Sequence, residues 1–380
     1  MKRFLPYVLK TLLRHRTRTL LTVSGSAVAF FVLAFVGAIS DGLAQLGAAG
    51  EADRSLIVFQ ANRFCPFTSL LPEDYGRTIE KVPGVADMVP IKVYTNNCRA
   101  SLDVVVFHGI PPEKLRTARD LKLIAGDWND FERQTDAALV GRGVAGRRNL
   151  SVGQRFSIGG VTTTIAGIYT AAMPAEEDYI YTHLDFLQRM RSESQIGKVT
   201  QFEVRLADGA SSQAVAEKID AAFRSGPVAT DTRPKGVFQA DSVADLVELV
   251  GFARWLGYAC VVMVLALVST TTVMSVQDRR SEHAVLQTIG VSSPLVFMLV
   301  IEESAILSLI GGAVGLAAGL AVLYWSGMTI GAEAVTIAFT PSLDLAVTGM
   351  LAALVVGVLA GLIPAWQAAR ADIVPALRQI

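Results

Sequence analysis

Three groups of residues in this chain have types and spacings that could do chemistry. The first is Gly141-Arg142-Gly143-Val144-Ala145-Gly146, which fits the G-x-G-x-x-G spacing of a phosphate-cradling turn and follows a strand candidate at 137–140. A dinucleotide site also needs a helix behind the turn and a carboxylate about 20 residues further on for the ribose. Residues 147–150 leave room for barely a turn of helix, and no Asp or Glu stands at that distance, so the segment reads as a glycine-rich turn. The second group is the histidines, His15, His108, His183 and His283, which have no metal-ligand spacing and read as surface or packing residues; no G-x-S-x-G occurs either. The third is Glu302 and Glu303, close to the start of a long apolar run. A carboxylate at mid-bilayer costs about 3 kcal/mol, so each sits at the headgroup level or pairs within protein. No Gly-x4-Gly-Lys-Ser/Thr is present, so no P-loop nest can bind a nucleoside triphosphate and any ATP chemistry belongs to another chain.

The elements around these residues are organised by one polar interruption, 277–294 (QDRRSEHAVLQTIGVSSP), set between apolar runs at 252–276 and 295–325. Each run exceeds the roughly 20 residues that a helix needs to cross a bilayer. Within the interruption Ala284, Val285 and Ile289 recur near a 3.6 spacing, and Arg279, Arg280, Glu282 and His283 crowd the first turns. Gly290 stands where a helix C-terminal cap belongs, while Ser293 and Pro294 supply an N-cap and a first-turn proline for the next helix. A short surface helix joining two spans would pass a push from outside the bilayer to both.

Composition agrees with a mixed membrane and soluble architecture. In 380 residues, 52% are hydrophobic and 18% charged, and the mean hydropathy is +0.44. That is too apolar for an ordinary soluble protein and too polar for one buried in lipid throughout. The formal net charge of zero conceals an N-terminal cluster, Lys2, Arg3, Lys10, Arg14, Arg16 and Arg18, with no acid among residues 1–18. This is a cytoplasmic flank by the positive-inside rule, and nothing in the pattern suggests nucleic acid as a partner.

The fold class expected is an α-helical membrane protein with four transmembrane helices plus an α+β extracytoplasmic domain. Residues 1–18 form a cytoplasmic amphipathic helix on membrane lipids. Residues 19–39 form the first span; a secretory signal is the rival reading, but its apolar region would be only about 7–15 residues. Residues 41–250 form the external domain, with a β-rich insert near 121–197 interrupting an α+β part near 55–120 and 198–240. Strands are expected at 55–60, 87–94, 100–109, 137–140, 154–158, 161–168, 201–206 and 237–239, with helices at 72–81 and 212–223 and a Gly159-Gly160 hairpin turn. Spans follow at 252–276, 295–325 and 343–365, with the coupling helix at 277–294 and a cytoplasmic tail at 366–380. Both termini then lie in the cytoplasm, and 326–344, which lacks Lys and Arg, lies outside.

This layout and its local motifs resemble the MacB/FtsX-type permease family of ABC transporters, which includes the lipoprotein-releasing permeases. The start of the first span, 18–25 (RTLLTVSG), looks like the family's opening. The piece 280–292 (RSEHAVLQTIGVS) looks like its cytoplasmic coupling segment, followed by an acidic-Ser pair at Glu303-Ser304 and a glycine-rich span. The end, Pro364-Ala365 through Arg370, Pro375, Leu377 and Arg378, is similar to its C-terminal signature. His283 departs from the pattern, since the family more often has an aliphatic residue there.

The resemblance implies a dimeric permease, homo- or heteromeric, in a bacterial inner membrane, driven by a separate cytoplasmic ABC ATPase dimer that holds ATP and Mg; this chain carries no cofactor. It implies mechanotransmission, in which the spans relay motion to outer domains that export or extract an amphiphilic cargo such as a lipoprotein, lipid, drug or peptide, with a periplasmic adaptor or lipoprotein as a further partner. The ATPase would dock on Arg279, Arg280, Ser281, Glu282, His283, Val285, Leu286, Ile289 and Gly290. Glu303 matches the family's acidic position and is expected to pair within the bundle, with the basic N-terminal helix as partner. The alternative class is a non-transporting transmembrane regulator of a cell-wall hydrolase.

Two further groups concern assembly. Gly311, Gly315 and Gly319, and Gly357 with Gly361, recur every four residues, a spacing that lets helices approach closely within or between protomers. Cys65 and Cys98 fall in the external domain 33 residues apart. An oxidising exterior permits a bridge between them, with two free thiols as the alternative.

Overall fold

A computed structural model of the chain describes residues 14, 16–52, 54–63, 68–95, 104–190, 195–326, 329–332, 335–339 and 341–370. The long helices are α1 (Arg16–Ala52), α3 (Ala244–Asp278), α5 (Ser293–Ser326) and α6 (Leu343–Ala369), and two short ones, α2 (Lys235–Ser242) and α4 (Arg280–Thr288), precede α3 and α5. Contacts divide the chain into a membrane unit, 1–40 with 249–325 and 341–380, and a second unit, 41–248 with 326–340.

In the membrane unit the four long helices carry windows of mean hydropathy 2.2 to 2.4, long enough to cross a bilayer. A helix is the form available to a lone apolar segment in lipid, because it satisfies its own backbone. Hydroxyls follow the same rule: Thr22 Oγ1 donates to Arg18 O at 2.9 Å, Thr272 Oγ1 to Val268 O at 2.7 Å, and Ser308 Oγ to Ala353 O across to α6 at 2.7 Å. Phe30, Val264, Val268, Leu316, Ala353 and Val356 form the bundle core. Exposed aromatics cluster on the first turns of α3 within this unit (Phe252, Trp255, Tyr258) and at the end of α5 (Tyr324, Trp325), the composition of a membrane–water interface. Trp366, near the end of α6, is covered by the Arg370 guanidinium at 4.6 Å.

Three differences from the sequence reading concern these helices. α1 continues well past residue 39 to Ala52, since the Ala-rich 43–52 stretch holds no proline. α5 starts at Ser293 itself, with Leu295 N–H bonded to Ser292 O at 2.9 Å. α6 runs through Pro364 to Ala369. Of the N-terminal helix expected at 1–18, only Arg14 and the start of α1 are described; the rest, like the tail after Arg370, lies outside the described residues.

The second unit is built on one ten-stranded sheet. Its strands are β1 (Ser55–Gln60), β3 (Val85–Thr95), β4 (Val106–Ile110), β5 (Leu121–Gly126), β6 (Ala137–Gly141), β7 (Arg155–Ile158), β8 (Val161–Ala171), β9 (Tyr179–His183), β11 (Gln201–Leu206) and β12 (Thr230–Pro234). Short pairs β2 (Leu71–Pro72) with β10 (Lys198–Val199), and β13 (Thr329–Ala332) with β14 (Val335–Ala338), stand apart from it. The order is β12-β1-β11-β3-β4-β9-β6-β8-β5, with β7 on β8. β3 is the hinge-pin of this order: its first part pairs with β11 and its last four residues with β4, so the insert extends the same sheet. One apolar core lies between β1, β3, β11 and the helices at 75–79 and 212–223, around Phe202, Ile79 and Ile219; two others pack the insert around Phe131, Tyr169 and Tyr181, and around Phe107 and Val140.

The expected strand at 237–239 is a turn of α2 instead. Pro234 ends β12 and its fixed φ opens the helix, with the pairing taken by Thr230–Pro234 against β1. The expected helix at 72–81 is shorter, Tyr75–Ile79, with its first residues taken by β2. The connection between α5 and α6 is not a plain loop: β13 and β14 form a hairpin, and Thr336 Oγ1 donates to Ala175 O at 2.8 Å in the 3-10 turn Pro174–Asp178.

Candidate functional site

The polar ends of α3, α4 and α5 form a connected ionic site. Ser275 on the last turn of α3 and Arg279, the residue just past its end, stand four residues apart and both reach one acid. Opposite them on α5 is Glu303, buried, whose Oε1 accepts from Ser275 Oγ at 2.8 Å and whose Oε2 accepts from Arg279 Nη1 at 3.0 Å. Arg279 Nε also donates to Glu282 Oε2 at 3.2 Å in the first turn of α4, and Glu282 Oε1 accepts from Arg14 at 3.0 Å. Arg18 pairs with Asp278 at 2.9 Å. Among the described residues the charged partner of Glu303 is Arg279, while Arg14 and Arg18 at the N-terminal end pair with Glu282 and Asp278. The geometry explains this: Arg279 follows the apolar part of α3 directly, at the depth where Glu303 emerges.

Around this anchor, α4 presents two surfaces. Ala284 is buried, whereas Val285 and Ile289, a further i, i+4 pair, are exposed, Ile289 at 76%. Gly290 adopts a φ of +102°, the left-handed position just past a helix end, and Arg280 faces solvent. The side chains of Ser281, His283 and Leu286 lie outside the described residues. The surface offered is thus a small apolar knob on a helix whose root is fixed by an ion pair.

The glycines of the last spans sit at helix crossings inside the unit. A Cβ on Gly315 would stand 2.2 Å from Ala27 O, one on Gly311 2.5 Å from Ser26 Cβ, and one on Gly319 2.9 Å from Ala34 Cβ, all on α1. A Cβ on Gly357 would meet Ala305 Cα at 2.8 Å, and one on Gly361 would meet Ser304 Oγ at 2.1 Å, both on α5. Cys65 and Cys98 lie outside the described residues. Gly141 and Gly143 serve contact with protein: a Cβ on Gly141 would stand 2.1 Å from Glu177 O, and one on Gly143 2.5 Å from an Asp178 carboxylate oxygen. The helix Arg142–Arg148 starts directly at the turn, longer than the spacing suggests, and Arg147 pairs with Asp178 at 2.6 Å.

One charged cluster has no counterpart in the sequence reading. In the second unit Glu203 on β11 accepts a two-nitrogen fork from Arg119, one arm of it at 3.3 Å, and a bond from Lys235 Nζ at 2.9 Å. All three side chains are at most 15% exposed. Burial alone would raise the Glu203 carboxyl, but Arg119 and Lys235 hold it far below the usual carboxylate range. His108 beside them is pushed down to about 3 by burial and by the Arg119 charge. The available signal was Gln201 and Glu203 alternating with Phe202 and Val204, which marks a strand with one polar face.

Comparison with known proteins bears on the whole chain. Residues 19–222 match the model of the MacB-like periplasmic core domain, more than half of the sequence, and residues 256–373 match the FtsX-like permease C-terminal model. No curated protein matches. Among solved structures, the extracellular domain of the noncanonic ABC-type transporter YknZ from Gram-positive bacteria is similar at 13% identity and a TM-score of 0.36, over 47% of this chain and 99% of that one. The periplasmic region of MacB from Actinobacillus actinomycetemcomitans is similar at 12% identity and a TM-score of 0.36, over 51% of this chain and 92% of that one.

Proposed function

The chain belongs to the MacB/FtsX-type permease family of ABC transporters, and from that premise we propose that it couples ATP hydrolysis in a separate ATPase to movement of its extracytoplasmic domain. It is a membrane protein of four apolar helices with a mixed α/β external domain, and permeases of this family work with ABC ATPases. Beyond that, the reading is our own. ATP and Mg are held by the partner. α4 docks on it through Val285 and Ile289, and Arg279 delivers the displacement to α3 and α5 together through Glu303. Two copies of the permease, alike or different, assemble in a bacterial inner membrane with both termini cytoplasmic. The cargo is amphiphilic: a lipoprotein, a lipid, or a hydrophobic drug or peptide.

The observation that carries this reading is the pairing of a solvent-facing apolar knob on α4 with a buried ion pair at its root. An exposed isoleucine alone is ordinary. A rigid helix joined to two spans and fixed by Arg279 to both is a lever. The test is purification of the full chain in mild detergent with identification of co-purifying proteins, then reconstitution. Co-purification of an ATPase that Ile289→Asp abolishes, and ATP hydrolysis stimulated by a lipid or lipoprotein fraction, support the reading. A chain that never associates with an ATPase refutes it.

A further inference from the structure

The Arg119–Glu203–Lys235 cluster lies within the external domain, beside the segment that leads into α3. Lys235 is the first residue of α2, which runs by way of Val243 into α3. Arg119 stands just before β5, where the insert begins, and Glu203 is on β11 of the first half of the sheet, paired with Ile57 of β1. A small cavity of about 60 Å³ borders all of them. Its walls also take Gln201 of β11, His108 of β4 and Val335 of the hairpin that joins α5 to α6. The segment that leads into α3, through Lys235, and the hairpin between α5 and α6, through Val335, therefore border one small void in the external domain.

The chemistry of the cluster is that of a joint. A buried ion pair is weak evidence for stability, and its attested use is to define one arrangement among several. Arg119 grips both Glu203 oxygens, a geometry that fixes direction. Lys235 makes a single bond to Glu203 through a flexible stem that can redirect its donors. A second acceptor is at hand. Gln201 lies two residues before Glu203 and so shares its face of β11, roughly 6.6 Å away along the strand. Gln201 Oε1 and His108 Nδ1 are both buried without a hydrogen-bond partner among the described residues. Buried polar groups are nearly always satisfied, and those that are not call for an explanation. A site with two acceptors for one mobile ammonium, and a void to move through, has two arrangements.

We propose that Lys235 is a positioning residue of the transport cycle, its ammonium stepping between Glu203 and Gln201 Oε1 as α2 is displaced with α3, and so passing that displacement to the insert through Arg119. This rests on the proposed function, in which the spans move the external domain. The void gives the step its room, and the orphaned Gln201 oxygen gives it a destination.

The experiment uses the full chain reconstituted with its ATPase, carrying spin labels at the exposed positions Lys122 in the insert and Lys218 in the helix Ser212–Phe223. The inter-label distance is read with and without ATP trapped on the complex. The wild-type pair is expected to shift with nucleotide. Lys235→Met, which leaves Glu203 paired to Arg119, and Gln201→Leu, which removes an unsatisfied group and so keeps the fold, should each cut that shift at least fivefold while the complex assembles and hydrolyses ATP at its basal rate. Lys235→Arg should restore it. A full shift in Gln201→Leu and in a folded Lys235→Met overturns the inference and leaves the proposed function standing. A wild-type complex with no nucleotide-dependent shift overturns both.

Discussion

Arg279 Nη1 donates to Glu303 Oε2 at 3.0 Å across 24 residues of chain, and this bond ties the end of one span, the start of the next and the root of the helix between them. Both side chains are more than nine-tenths buried. Removing one partner of such a pair leaves an uncompensated charge and typically costs about 3–5 kcal/mol, whereas replacing both with apolar groups is often neutral. Glu303→Leu alone should therefore lower the detergent unfolding midpoint sharply, and Arg279→Met with Glu303→Leu should recover most of it. If the pair transmits force, the double variant should remain poor in cargo-stimulated ATP hydrolysis despite its restored stability.

Ile289 can be separated from folding. Its side chain faces solvent, so Ile289→Asp should change stability by no more than about 0.5 kcal/mol. An apolar anchor at an interface centre is worth about 2 kcal/mol or more, which corresponds to a loss of about 30-fold or more in affinity for the ATPase. Surface binding of purified ATPase to the immobilised permease reads this directly, and an unchanged Kd would remove Ile289 from the interface.

Gly315 is held against the backbone of α1 by the absence of a side chain. Gly315→Leu forces the two helices apart, and overpacking of this kind costs about 1–3 kcal/mol. The variant should show a lowered unfolding midpoint and reduced yield of folded protein. Gly251→Ala on α3, where an added Cβ would meet nothing within 4 Å, is the control and should behave as wild type.

His108 predicts a pH dependence. Its folded value of about 3 lies below its ordinary 6.5, so above pH 6.5 it is neutral in both states and contributes no slope. Below 6.5 the unfolded chain takes up a proton that the folded chain refuses, and stability falls by up to about 1.4 kcal/mol per pH unit until about pH 3. Glu203, held low, adds a loss in the same direction only once the pH drops below the ordinary glutamate range. Between pH 6.5 and 5 the wild type should lose about 2 kcal/mol more than His108→Phe, which keeps the ring contact with Tyr179. Parallel unfolding curves for the two proteins would contradict the assignment.

The parts legible in the sequence are those set by local pattern. Long apolar runs announce α1, α3, α5 and α6, and the Arg279–Gly290 grammar announces α4, because helix periodicity and termination are read within a few residues. Pairings at long range leave no such trace. Nothing near Glu303 names Arg279, and Arg119, Glu203 and Lys235 belong to three segments brought together by the sheet. The error at 237–239 is of the same kind: Val237 and Phe238 look like strand residues, yet Pro234 stops the ladder and Phe238 packs on Phe59 from a helix. The β13–β14 hairpin escapes notice because its short Ala- and Thr-rich halves become strands only by pairing with each other and docking on the turn at 174–178.

That docking gives the last two spans a shared leash. A plain linker between α5 and α6 would let either helix rotate or slide without consequence above the bilayer. A ribbon clipped to the insert at Ala175 leaves both with a short tether in place of slack, so under the proposed function travel of either one would be metered against the sheet.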